Sequence, residues 1–117
     1  MRVSAVGELG SAILSTGNLK TLAASHTGWS RFGALVGRVN RLRGYGDFLH
    51  YHLLARGALD AVVESDVNIL DIAALTVIVR EAGGRFTDLS GSEVGLETTT
   101  VLASNSLLHP ALLAALN

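Results

Sequence analysis

Glycine sets the limits of this chain, because it cuts the apolar sequence into runs too short to build any long continuous element. Runs such as Ile72 to Leu75 and Val77 to Val79, parted by Thr76, fall far below the roughly 18 residues a membrane span needs. Thirteen glycines against a single proline place turns between brief elements. With only 5% aromatic residues among 117, the expected core is Ala, Leu and Val packed in one domain covering 1–117.

The periodicity of each run assigns its element. Ser11 to Thr16, ended by Gly17 and Asn18, reads as a strand and a turn. Leu19 to Ser25 fits no single template. From Ser30, the positions Phe32, Leu35, Val36, Val39 and Leu42 keep helical spacing, with Arg31, Arg38 and Arg41 mostly on the other face. Asp47 stands before a second helix that runs through Ala55 to a stop at Gly57. Ala58 to Glu64 has strand composition. Leu70 to Ala82 is a longer helical pattern stopped by Gly83-Gly84. Arg85 to Leu89 and Thr99 to Ala103 read as strands around a polar loop, and Ser106 to Leu116 as a last helix with Pro110 in its first turn. Alternating strands and helices predict an α/β layered fold.

Charge and residue types exclude several function classes. Nine Lys+Arg against ten Asp+Glu give a net charge of -1, with no excess to hold nucleic acid or a membrane surface. The arginines at 31, 38, 41 and 43 are the one basic cluster and read as a solvated surface or an interface. The lack of cysteine excludes disulfides, thiolate zinc and a cysteine nucleophile, and suits a reducing compartment. Met1, Arg2 and Val3 lead straight into Ser4, Gly7 and Glu8 without the apolar core of a secretion signal, so the cytoplasm is the expected location. His50 and His52 point apart on a helix, His26 and His109 are isolated, and no histidine metal site is expected. Gly44 and Gly46 precede a helix, but Leu49 occupies the place of a dinucleotide loop's third glycine. No serine has a hydrolase context, so no catalytic nucleophile is assigned.

The carboxylates say more. Asp47 and Asp71 each open a helix, and Glu64 ends the strand between them, where α/β sheets border their ligand crevice. On residue types alone, Asp47 and Asp71 are read as N-caps and Glu64 as a surface residue.

One contiguous pattern carries a resemblance. Glu64-Ser-Asp-Val-Asn-Ile-Leu-Asp71 continues through Glu81-Ala-Gly-Gly84 into Arg85-Phe-Thr-Asp88. It is preceded by Gly44-Tyr45-Gly46-Asp47 and Gly57-Ala58-Leu59-Asp60, and followed by Ala103-Ser104-Asn105. In order and spacing it resembles the C-terminal half of the inositol monophosphatase family. Gly46-Asp47 is similar to the histidinol-phosphate phosphatase branch, whereas myo-inositol phosphatases tend to have Gly-Ser there. The resemblance implies a mixed sheet of about five strands covered by helices, with Asp47, Glu64 and Asp71 converging at one edge. It implies Asp71 as a magnesium ligand and Glu64 as a substrate contact, while Asp47 would meet a substrate amine.

The departures shape the functional expectation. Leu70 replaces the family's Trp before the metal-ligating Asp. The family's remaining ligands belong to an N-terminal half, a Glu-bearing helix and an Asp-Pro-Ile-Asp-Gly-Thr loop, that this chain does not contain. Magnesium-assisted phosphate-ester hydrolysis uses ions to activate water and stabilise the attacking and leaving oxygens, and one carboxylate holds magnesium weakly. The expectation is therefore part of a magnesium-dependent histidinol-phosphatase of histidine biosynthesis, inactive alone and acting on a small phosphorylated substrate. Its partner would be the missing N-terminal half or a second copy. The alternatives are an inositol-1-monophosphatase and a non-catalytic remnant or interaction module.

Overall fold

The computed structural model describes all 117 residues. A 3-10 turn at Leu9–Ser11 leads into strand β1 (Ile13–Thr16), helices α1 (Lys20–Ala24) and α2 (His26–Val36), and strand β2 (Arg41–Arg43). Helix α3 (Leu49–Ala55), strand β3 (Ala61–Glu64) and helix α4 (Ile69–Glu81) follow, then strands β4 (Arg85–Thr87) and β5 (Val101–Ser104) and helix α5 (His109–Leu116). The five strands form one sheet in the order β2-β1-β3-β5-β4. β1 pairs in parallel with β2 and β3, while β5 runs antiparallel to β3 and β4. This is the mixed five-stranded α/β sheet that the resemblance implied.

Side-chain alternation along the strands divides the core between the two faces. Ala61 and Val63 of β3, Leu14 of β1 and Leu102 of β5 join Phe32 and Leu35 of α2 and Leu112 of α5 on one face. Val62, Val101, Ala103 and Phe86 join Tyr51 and Leu54 of α3 and Ile72, Leu75 and Val79 of α4 on the other. Gly84 is required in the turn from α4 to β4, since a Cβ there would lie 2.7 Å from the Ser104 carbonyl oxygen and 2.6 Å from Val79 Cγ1. No helix is long and apolar enough to cross a membrane.

The segment after Ser30 departs from the expected helix. α2 starts earlier, because Ser25 Oγ accepts the Gly28 N–H at 3.1 Å and caps it, and it ends at Val36 before Gly37. Arg41–Arg43 leaves the helix and pairs with β1, Ile13 opposite Arg41 and Ser15 opposite Arg43. The four arginines therefore sit on different elements and form no single helical face. Leu19 to Ser25, ambiguous in sequence, contains α1.

Candidate functional site

The parallel strands β1 and β3 end at the same side of the sheet, and their ends with the starts of α3 and α4 enclose a cavity of about 190 Å³. Asp47, Glu64 and Asp71 all line it, together with Asp66, which the sequence reading did not single out. No lysine or arginine is in the lining. Tyr51 and Phe48 contribute aromatic walls, and Ile72 and Leu75 form an apolar floor.

Local backbone geometry aims these carboxylates. Asp47 follows Gly46 in the left-handed region (φ 48° after 64°), and Asp66 has φ 59°. Such angles are uncommon for residues with a Cβ, although Asp tolerates them better than most. Neither Asp47 nor Asp71 is an N-cap, contrary to the reading from residue types. Phe48 occupies the N-cap of α3 without a side-chain bond. Asn68 caps α4 by accepting the Leu70 and Asp71 N–H groups at 3.0 and 3.3 Å. Asp71 lies instead in the first turn, where the helix dipole favours its charge. Both carboxylates are exposed to the cavity side and to solvent.

Glu64 is the buried member, and its surroundings correct its reading as a surface residue. It is 5% exposed. Its Oε1 accepts from His50 Nε2 at 2.9 Å and from the Tyr51 hydroxyl. Its Oε2 accepts the Asn18 N–H at 3.3 Å. Gly17 makes room for it, since a Cβ at that position would lie 2.1 Å from Oε2. Burial pushes the Glu64 carboxyl up, but the bonds it accepts from His50, Tyr51 and the Asn18 N–H outweigh it and hold the carboxyl below its ordinary value. Burial and the adjacent Glu64 charge push the Tyr51 phenol far above its ordinary value, so it stays a donor.

The chain by itself does not assemble a metal site, because no three His, Asp or Glu side chains come close enough to hold an ion. Asp71 offers one carboxylate. Four acidic groups around one cavity suit a cation, whether a metal completed from elsewhere or an ammonium. Residue types revealed none of the supporting groups Ser15, Asn18, His50 and Tyr51, which come together only through the sheet.

The profile of the inositol monophosphatase family matches residues 7–117. The chain is 44% identical over 123 residues to histidinol-phosphatase of Mycobacterium tuberculosis, covering 100% of this chain and 44% of that protein. It is 41% identical over 100 residues to histidinol-phosphatase of Streptomyces coelicolor, covering 80% of this chain and 37% of that protein. An IMPase structure from Thermotoga maritima superposes with a TM-score of 0.84 at 30% identity, covering 100% of this chain and 44% of that one. The chain thus spans less than half the length of these relatives.

Proposed function

The chain belongs to the inositol monophosphatase family, and from that membership we propose that it forms the substrate-facing part of a phosphomonoesterase acting on histidinol phosphate. The observation that carries the reading is the lining of the cavity: four carboxylates, Asp47, Glu64, Asp66 and Asp71, and no basic side chain. Such a lining repels a bare phosphate and attracts an ammonium. Histidinol phosphate carries an amine that is cationic near neutral pH, and inositol phosphate carries only hydroxyls beside its phosphate. Asp47 and Glu64 then take the amine end, and a charge-assisted bond to either favours the amino substrate by about tenfold or more.

In this reading Asp71 supplies one carboxylate to a magnesium site whose other ligands lie outside these 117 residues. The partner is the remaining part of the phosphatase. Phe48 and Leu70, 57% and 91% exposed at the starts of α3 and α4, offer it an apolar surface beside the cavity. The activity belongs to that assembly, and the isolated chain turns over no substrate.

Phosphate release from histidinol phosphate and from inositol-1-phosphate, measured for the chain alone and with an added N-terminal half of a family member, tests the reading. The pair is expected to be active with magnesium, and Asp71→Asn to abolish turnover. Asp47→Ser should lower histidinol-phosphate turnover about tenfold more than inositol-phosphate turnover. An equal loss on both substrates would move the assignment to an inositol-type phosphatase. Robust turnover by the chain alone would refute the split.

A further inference from the structure

Behind the cavity, Ser15, His50 and Glu64 lie in hydrogen-bonded series, and the directions of those bonds follow from counting protons. Ser15 Oγ accepts the Tyr45 N–H at 3.2 Å. Its own proton is then free for His50 Nδ1, 3.0 Å away. A ring nitrogen that accepts carries no proton in the neutral imidazole. Glu64 Oε1 can only accept, so neutral His50 holds its proton on Nε2, donates it there at 2.9 Å and leaves Nδ1 to accept from Ser15. Ser15 and His50 are fully buried, so water does not compete for any of these bonds.

The series runs from Glu64, which lines the cavity, to the backbone of Tyr45, two residues before Asp47, which also lines it. At one end, Glu64 Oε1 receives both His50 and Tyr51, while Oε2 has only the long 3.3 Å contact from Asn18 N–H and keeps acceptor capacity for a ligand. At the other end, Tyr45 lies two residues before Asp47, in the loop that Gly46 and Asp47 carry through the left-handed region. A serine, a histidine and a glutamate in line suggest a nucleophilic triad, but Ser15 is absent from the cavity lining and has no path to a substrate.

We propose that Ser15 and His50 are positioning residues that tie the Asp47 loop to the Glu64 carboxylate and so fix the spacing of the two anionic contacts for a substrate ammonium. The role of that spacing rests on the histidinol-phosphate reading; the relay itself does not. The Glu64 carboxylate, which can only accept, fixes the His50 tautomer; the bare Nδ1 then orients the Ser15 hydroxyl, whose oxygen holds the Tyr45 N–H. Such outer partners orient the groups they touch, as metal-site outer shells do.

The test reads the relay without turnover. In the 117-residue chain, nitrogen-15 NMR of the His50 ring should show a bare Nδ1 and a protonated, slowly exchanging Nε2. Ser15→Ala should leave Nε2 protonated, because Glu64 still accepts from it, but should shift the bare Nδ1 resonance and the amides of Tyr45 and Asp47, together with that of Asn18. Tyr51→Phe removes the other donor to Oε1 and should leave the tautomer and the Asp47 amide unchanged. A wild-type ring protonated on Nδ1 would overturn the proposal, as would Ser15→Ala shifts that stop short of Asp47 or Asn18. Histidinol then serves as an amine probe, its affinity expected to fall about tenfold in Ser15→Ala. If histidinol moves no resonance of the wild-type chain, the substrate reading fails, and the tautomer and its propagation still decide the relay.

Discussion

His50 and His109 are both fully buried, both bonded through each ring nitrogen, and they lie on opposite faces of the same sheet. His50 connects Ser15 to a carboxylate. His109 connects two hydroxyls, with Ser104 Oγ 2.7 Å from Nδ1 and Thr87 Oγ1 2.9 Å from Nε2. Thr87 gives its proton to the Asp88 carbonyl at 2.8 Å, so it accepts from Nε2, and His109 is the same tautomer as His50. Equal burial and equal bonding thus serve different ends. With an anion as its last partner, a buried histidine positions charge at a cavity. With neutral partners only, it joins α5 to β4 and β5.

Acid should separate the two faces most strongly. Burial, helped by the Arg85 charge, pushes His109 down to about 4 from 6.5. The unfolded chain binds that proton first, so the contribution of neutral His109 is complete above pH 6.5 and is lost as the pH falls from 6.5 to about 4. The loss is on the order of 3 kcal/mol. Glu64 behaves differently: its carboxyl is held below 4.5, so its contribution is complete above that value and is lost only as the pH falls through the lower folded value. Urea denaturation from neutral pH down to 4 should show the His109 loss, and His109→Gln should flatten it. A slope that survives in His109→Gln would assign the acid sensitivity to another group.

Replacing each ring with an apolar side chain sharpens the contrast at neutral pH. His50→Leu takes a donor from the buried Glu64 carboxylate and an acceptor from Ser15, a cost of roughly 2 to 3 kcal/mol because one lost bond is to a charged group. His109→Leu removes only neutral bonds, and Thr87 keeps its bond to Asp88, so roughly 1 kcal/mol is expected. Urea midpoints at constant slope measure both. Equal costs would mean that the charge on Glu64 is not sustained by His50.

These partners mark the limit of what the sequence shows. The helix expected over Leu70 to Ala82 is observed as Ile69–Glu81, because a regular apolar stripe and a Gly-Gly stop act locally. Arg41–Arg43 was hidden because the helical period of Val36, Val39 and Leu42 continues past Gly37, whereas the strand exists only through pairing with β1. Asp47, Glu64 and Asp71 were visible as acids at element ends, and the structure brings them to one cavity. Their supports were not, since Ser15 and His50 are 35 residues apart and meet only when β1, α3 and β3 assemble. Local reasoning also misassigned the caps, because a cap depends on backbone angle and on which neighbour reaches the free N–H groups first.

The smallest expected effect lies at the cavity rim and bears on what Asp71 is free to do. Asn68 Oδ1 accepts two N–H groups at the start of α4, so Asn68→Ala should cost about 1 kcal/mol. Asp71, in the same first turn, contributes only its attraction to the helix dipole, and at an exposed site Asp71→Ala should cost about 0.5 kcal/mol. The difference is small but has a clear sign, and urea denataturation of the two variants with the wild-type chain resolves it. If Asp71→Ala cost as much as Asn68→Ala, its carboxylate would be holding the helix and would have no oxygen to spare for a metal. If the smaller cost is found, the fold gains little from Asp71, and its carboxylate remains available to a cation at the cavity mouth.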